Sequence, residues 1–201
     1  MTWFYLIRHA NHDWLNKGIA GWKSGVQLNN DGVTLARSLA ETLRRCPIDV
    51  IYTSPLERAT QTAEIIAKAV NSKPPVHVVE NFGEIQFGDW NGMSFTELNV
   101  DPLWSKFNNF RSGIRAPNGE TGVDIQQRMI SKMQELRDRF PDKNIAIVSH
   151  ADSIRLALQF FLGMPVDFYS RIEIGPASVS LVEYSKDFVK VHYLNRTPEF
   201  F

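Results

Sequence analysis

The chain has 201 residues, 43% of them hydrophobic and 22% charged, so it can bury one substantial core and is far from the composition of a disordered segment. Its 22 basic residues balance 22 acidic ones, which removes any global field for nucleic acid or an anionic membrane and makes an anion site a local matter. Cys46 is the only cysteine, excluding an intrachain disulfide and a multi-thiolate metal site; with no signal-like start and no run near the roughly 18 apolar residues of a membrane span, a soluble cytoplasmic protein is expected.

In chain order, Phe4-Tyr5-Leu6-Ile7 predicts a buried strand that stops at Arg8-His9-Ala10. Ligands of open α/β sheets collect at the carboxyl ends of strands, where arginine offers a planar fork of donors for a phosphate and histidine a nitrogen nucleophile titrating near neutrality. Taken alone, an Arg-His pair equally fits a strand followed by a polar turn. Residues 11–29 hold Gly18, Gly21 and Gly25 without a sustained period and predict a loop long enough to cover a pocket. Asn30 or Asp31 caps a helix to about Cys46, with Leu35, Leu39, Ala40 and Leu43 inward and Pro47 ending it. Asp49–Tyr52 is a second strand. Ser54 and Glu57 then have capping-box spacing, with Pro55 at the first helical position, so a helix to about Val70 carries Arg58 in its first turn.

Pro74-Pro75 precede a third strand, Val76–Val79, and a glycine-interrupted segment from Phe82 to Gly92 follows without a clean period. Ser94 to Glu97 repeats the capping-box spacing and Asp101-Pro102 starts a second short helix, which together predict an inserted helical lid over about residues 93–115. After a Pro117–Gly122 turn, Ile125, Met129, Met133, Leu136 and Phe140 mark a long amphipathic helix. Ile145–Ser149, almost wholly apolar, suits a central parallel strand and ends on His150. Ser153–Leu162 predicts a helix closed by Gly163, and the segments 178–184 and 188–194 predict an antiparallel hairpin. Strand and helix alternate over most of the chain, so residues 1–201 are expected to form a single three-layer α/β/α domain around a mainly parallel sheet.

His9, Arg58 and His150 thus follow three different strands, and groups from distant stretches that meet at strand ends point to catalysis. At these residues the chain resembles the histidine phosphatase superfamily, also called phosphoglycerate mutase-like. Arg8-His9-Ala10 is similar to its opening R-H-G, and residues 54–63 match every fixed letter of S-x-L-x-R-A-x-x-T-A. Glu84 through Gly92 resembles E-x-x-x-G-x-W-x-G, and Ser149-His150-Ala151 the late S-H-G. The resemblance implies that His9 is the nucleophile, that Arg8, Arg58 and His150 surround the phosphoryl oxygens, and that Glu84 is the proton donor, with no metal or other cofactor. It implies a phosphomonoester hydrolase acting on a small phosphorylated metabolite. A mutase would use the same pocket, although mutases acting on phosphoglycerate usually have longer chains; a non-catalytic phospho-ligand-binding domain would be expected to lack His9 or Glu84. The sequence leaves oligomeric state open.

Two positions depart from the pattern. Leu15 stands where many relatives carry a phosphate-contacting asparagine, leaving Asn16 or a backbone N–H of Gly21 as alternatives. Glu120 resembles a pocket-side turn of the family and equally reads as an acidic residue in the first turn of the long helix. Trp14, Trp22, Lys23, Phe95, Phe107, Phe110, Arg111 and Arg115 are candidates for the outer pocket, with most of the lid aromatics expected to pack against one another.

Overall fold

The computed structural model describes residues 1–200. Six strands form one sheet in the order β3-β2-β4-β1-β5-β6. They are β1 (Thr2–Arg8), β2 (Val50–Thr53), β3 (Val76–Val78), β4 (Asn144–Ser149), β5 (Val179–Tyr184) and β6 (Val189–Arg196). The first four are mutually parallel, and β5 and β6 add an antiparallel hairpin beside β1. Both faces of the central strands are covered. On β1 the alternation sends Phe4 and Leu6 into the core under α5 (Gly122–Arg139) and α6 (Ala151–Leu162). Tyr5 and Ile7 enter the core under α1 (Asn30–Thr42) and α2 (Glu57–Ala69). This double burial is why β1 and β4 read as continuous apolar runs rather than alternating ones.

A third apolar cluster holds the inserted segment, where α3 (Phe95–Leu98) and α4 (Pro102–Asn109) pack Leu98 and Phe107 on Trp90, Phe87 and Ile125. The capping box at Ser94 and Glu97 is present, and Asp101 caps α4 with Pro102 in the first turn. Among the described residues, no helix is long and apolar enough to cross a membrane.

Two local expectations differ. Helix α1 is capped by Asn29 and stops at Thr42, before Pro47 is reached, because Leu43 turns the chain and Ile48 is already buried. Helix α2 begins at Glu57, not at Pro55, and its N-cap residue Leu56 has no side-chain hydrogen bond. The Ser54–Glu57 spacing is therefore not a capping box. Ser54 is drawn instead to His150, and the Glu57 carboxylate accepts from the Gly25 N–H of the first loop at 2.8 Å.

Candidate active site

Pairing register brings the reactive residues together. Arg8 lies opposite Ser149 across β1 and β4, and Thr53 opposite Val148 across β2 and β4. His9, His150 and Ser54 consequently leave three adjacent parallel strands at one level, tied by His9 N–H to Ser149 O and Ser54 N–H to Val148 O, both at 3.0 Å. His9 opens on a cavity of about 320 Å³ that is also lined by Arg8, Arg58 and Glu84, and the buried His150 and Ser54 lie behind it.

The His9 ring has a defined tautomer. Its Nδ1 lies 2.8 Å from the Ala10 carbonyl, which can only accept, so Nδ1 carries the proton and Nε2 keeps a free lone pair. Burial first, then the Arg58 and Arg8 charges, hold its pKa well below the ordinary histidine value, so the ring is neutral at pH 7. Ala10 is fixed in turn by Thr62, whose hydroxyl accepts from Ala10 N–H and donates to Arg58 O. His150, fully buried, accepts from Arg58 Nη2 at 3.3 Å through Nδ1, which leaves Nε2–H to donate to Ser54 Oγ at 2.7 Å. Burial and the Arg58 charge hold it neutral as well.

Arg8 and Arg58 spend only part of their donor forks on protein. Arg8 Nη1 donates to Ile174 O at 2.6 Å, and Arg58 Nη2 also donates to Gly21 O at 2.8 Å. Arg8 Nε, Arg58 Nε and Arg58 Nη1 are buried without a partner. Unpaired buried donors on a cation are costly unless an anion completes them, and two such forks beside a neutral imidazole suit a tetrahedral oxyanion. Leu15, Asn16 and Gly21 all border the cavity, but Gly21 meets Arg58 through its carbonyl.

Glu84 sits on the opposite wall, 14% exposed, with Oε2 3.9 Å from His150 Nδ1 and Oε1 accepting from Ile85 N–H. Burial, reinforced by the nearby Asp152 carboxylate, pushes its pKa up to about 7. The segment bearing it has no regular structure of its own and is held from outside. Arg128 of α5 donates to the carbonyls of Asn81, Gly83 and Glu84 at 2.6, 3.1 and 2.8 Å. Trp22 Nε1 also reaches Glu84 O, and Ser149 and Ser153 hydroxyls bind Phe82 O and Gly83 O. Glu120 does not line this cavity and is not part of the first turn of α5. Its carboxylate pairs with Arg128 at 2.8 Å and accepts from Gln86 N–H, closing the other end of the same clamp. Gly88 is required there, with φ at +55° and a Cβ position only 1.8 Å from Pro117 O.

Of the outer-pocket candidates, Trp14, Phe95 and Arg111 line the cavity. Phe107 is wholly buried, Phe110 is 51% exposed, Trp22 supports Glu84 from behind, and Lys23 lies over the Trp14 ring. Arg115 instead pairs with Asp124. Arg111 donates to Asp152 at 2.6 Å and is held between the rings of Tyr169 and Phe107. Sequence reading missed His12, Asp152, Arg155 and Tyr169, which also line the cavity. Asp152 had a signal, since it lies two residues past His150 in the first turn of a helix, whereas Tyr169 enters from a distant 3-10 segment.

Residues 4–197 match the family model of the histidine phosphatase superfamily (branch 1), and the chain belongs to that superfamily. The phosphatase PhoE of Bacillus subtilis is 29% identical over 187 residues, covering 93% of this chain and 91% of its own. The structure of Bacillus stearothermophilus YhfR is 27% identical with a TM-score of 0.91 over 98% of both chains. A phosphoserine phosphatase mutant of Entamoeba histolytica, solved with phosphoserine, is 28% identical with a TM-score of 0.86 over 97% of both chains.

Proposed function

We propose that the protein is a metal-independent phosphomonoester hydrolase that works through a phosphohistidine on His9. The observation that carries this reading is a neutral His9 ring, its Nδ1 proton committed to Ala10 O, beside the unpaired donors of Arg8 and Arg58. The phosphate of the substrate is seated among Arg8, Arg58 and His150. The Ser54 hydroxyl can donate to or accept from the ring, so His150 is free to turn Nδ1–H toward a phosphoryl oxygen once one takes the place of the Arg58 contact.

His9 Nε2 then attacks phosphorus as the bond to the leaving oxygen breaks, and Glu84 gives its proton to that oxygen. In the second half, water attacks the phosphohistidine, Glu84 takes the proton of that water, and inorganic phosphate leaves with His9 neutral again. Charge developing on the equatorial oxygens meets fixed guanidinium donors, which supplies the electrostatic stabilisation a metal would otherwise give. We assign the substrate to small phosphorylated metabolites, with no nucleic acid or membrane partner, and the protein to the cytoplasm. A panel of phosphomonoesters assayed with EDTA, together with phosphoglycerate interconversion, tests the proposal. Phosphate release insensitive to chelator supports it; interconversion without release would identify a mutase.

A further inference from the structure

His12 belongs to none of the motifs that brought out His9, Arg58 and His150, yet it is 7% exposed and lines the same cavity. Its ring centroid is 5.1 Å from that of His9. The backbone N–H of Trp14 donates to His12 Nδ1 at 3.2 Å, so Nδ1 is an acceptor and the ring proton is on Nε2. That Nε2–H makes no hydrogen bond within the protein, and it is not among the solvent-excluded unpaired atoms, so it keeps surface open to the cavity. Burial, then the charges of Arg58 and Arg8, push the His12 pKa down to about 4, which keeps the ring a neutral donor between two cations. The neighbouring Leu15 side chain can offer no hydrogen bond there.

We infer that His12 is a further catalytic residue, a neutral imidazole whose Nε2–H donates to an oxygen of the phosphoryl group held by Arg8 and Arg58. The inference rests on the phosphatase reading above. It adds a donor that costs no additional buried charge and can strengthen as charge builds on the oxygen in the transition state.

The test compares wild type, His12→Asn and His12→Gln by calorimetric titration with orthovanadate and by kcat/KM on p-nitrophenyl phosphate, with melting temperatures alongside. Asparagine retains an acceptor for the Trp14 N–H, as in an Asx turn, but ends short of Nε2, whereas glutamine carries an amide N–H out to about that position. His12→Asn should weaken vanadate binding and lower kcat/KM by about ten- to a hundredfold, and His12→Gln should recover most of both. Values for His12→Asn within about twofold of wild type overturn the inference. So does a His12→Gln as impaired as His12→Asn, since the loss would then come from the loop and not from the donor. Where His12→Asn melts early, His12→Met, of similar length and without a donor, takes its place under the same criteria. A wild type that neither hydrolyses a phosphomonoester nor binds vanadate would instead overturn the phosphatase reading itself.

Discussion

His9 and Glu84 are tuned in opposite directions by the same burial, because desolvation disfavours the charged form of each: the imidazolium of one and the carboxylate of the other. At pH 7 this leaves the proposed nucleophile neutral and the proposed acid about half protonated. His9→Ala should abolish turnover and, in rapid-quench labelling, trap no phosphate on the protein, while the melting temperature stays near that of wild type because the ring supplies chemistry rather than core volume. As the proposed proton donor Glu84 has to be protonated for the first transfer, so rates on alkyl phosphates should fall as pH rises past about 7, and rates on p-nitrophenyl phosphate should fall less. Glu84→Gln should reproduce that contrast at every pH, with a burst of p-nitrophenol if the carboxylate also activates water. An equal loss on both esters with no burst would assign Glu84 a structural role. The same substitution carries a stability signature. The folded pKa lies above the unfolded value, so the native state binds the extra proton between about 4.5 and 7 and stability falls as pH rises through that window. Glu84→Gln should therefore raise the melting temperature at pH 8 relative to pH 4, by an amount corresponding to at most about 3 kcal/mol.

At the scale of elements, the Glu84 segment between β3 and α3 is positioned by α5 through one side chain. Arg128 spreads its fork over three carbonyls and the Glu120 carboxylate. Arg128→Ala removes a donor from each of those carbonyls and the cation from the partly buried Glu120 carboxylate, which should cost about 2–4 kcal/mol in chemical denaturation and slow alkyl phosphates more than p-nitrophenyl phosphate. Arg128→Lys should rescue little, because a point charge cannot span four acceptors at once. If the two esters slowed equally, Arg128 would be acting on the fold at large and not through Glu84. Gly88→Ala should destabilise by about 2 kcal/mol or more, since the left-handed backbone and the contact with Pro117 O both resist a side chain.

For the whole molecule, three buried neutral histidines oppose one buried carboxyl whose pKa is raised, Glu84. Below pH 6.5 the unfolded chain protonates its histidines while His9, His12 and His150 stay neutral, so stability is lost as pH falls. His12, depressed to about 4, offsets Glu84 nearly one for one, and His9 and His150 shift in the acid-labile direction as well. The melting temperature should therefore fall between pH 7 and pH 4.5. A melting temperature that rose over this range would mean that the histidines are protonated in the folded state.

The sequence by itself determined the alternation of strands and helices, the doubly buried β1 and β4, the lid with its Ser94 and Asp101 caps, and the Gly163 stop, because each is written in periods and caps within a few residues. It also singled out Arg8, His9, Arg58 and His150 beside strand ends, and Glu84 through the resemblance of residues 84–92 to a family motif. Only the tertiary structure decided what Ser54 and Glu120 do, since their partners, His150 and Arg128, lie 96 and 8 residues away and outbid the local helix-start reading. The same holds for His12 and Asp152. His12 falls in none of the motifs, and Asp152 is marked only by its place two residues past His150 in the first turn of a helix; the register of β1 against β4, and the fold of the loop after β1, bring them to one cavity. Which nitrogen of each histidine carries its proton is likewise a tertiary property, fixed by the Ala10, Trp14 and Arg58 atoms that the fold sets beside the rings of His9, His12 and His150.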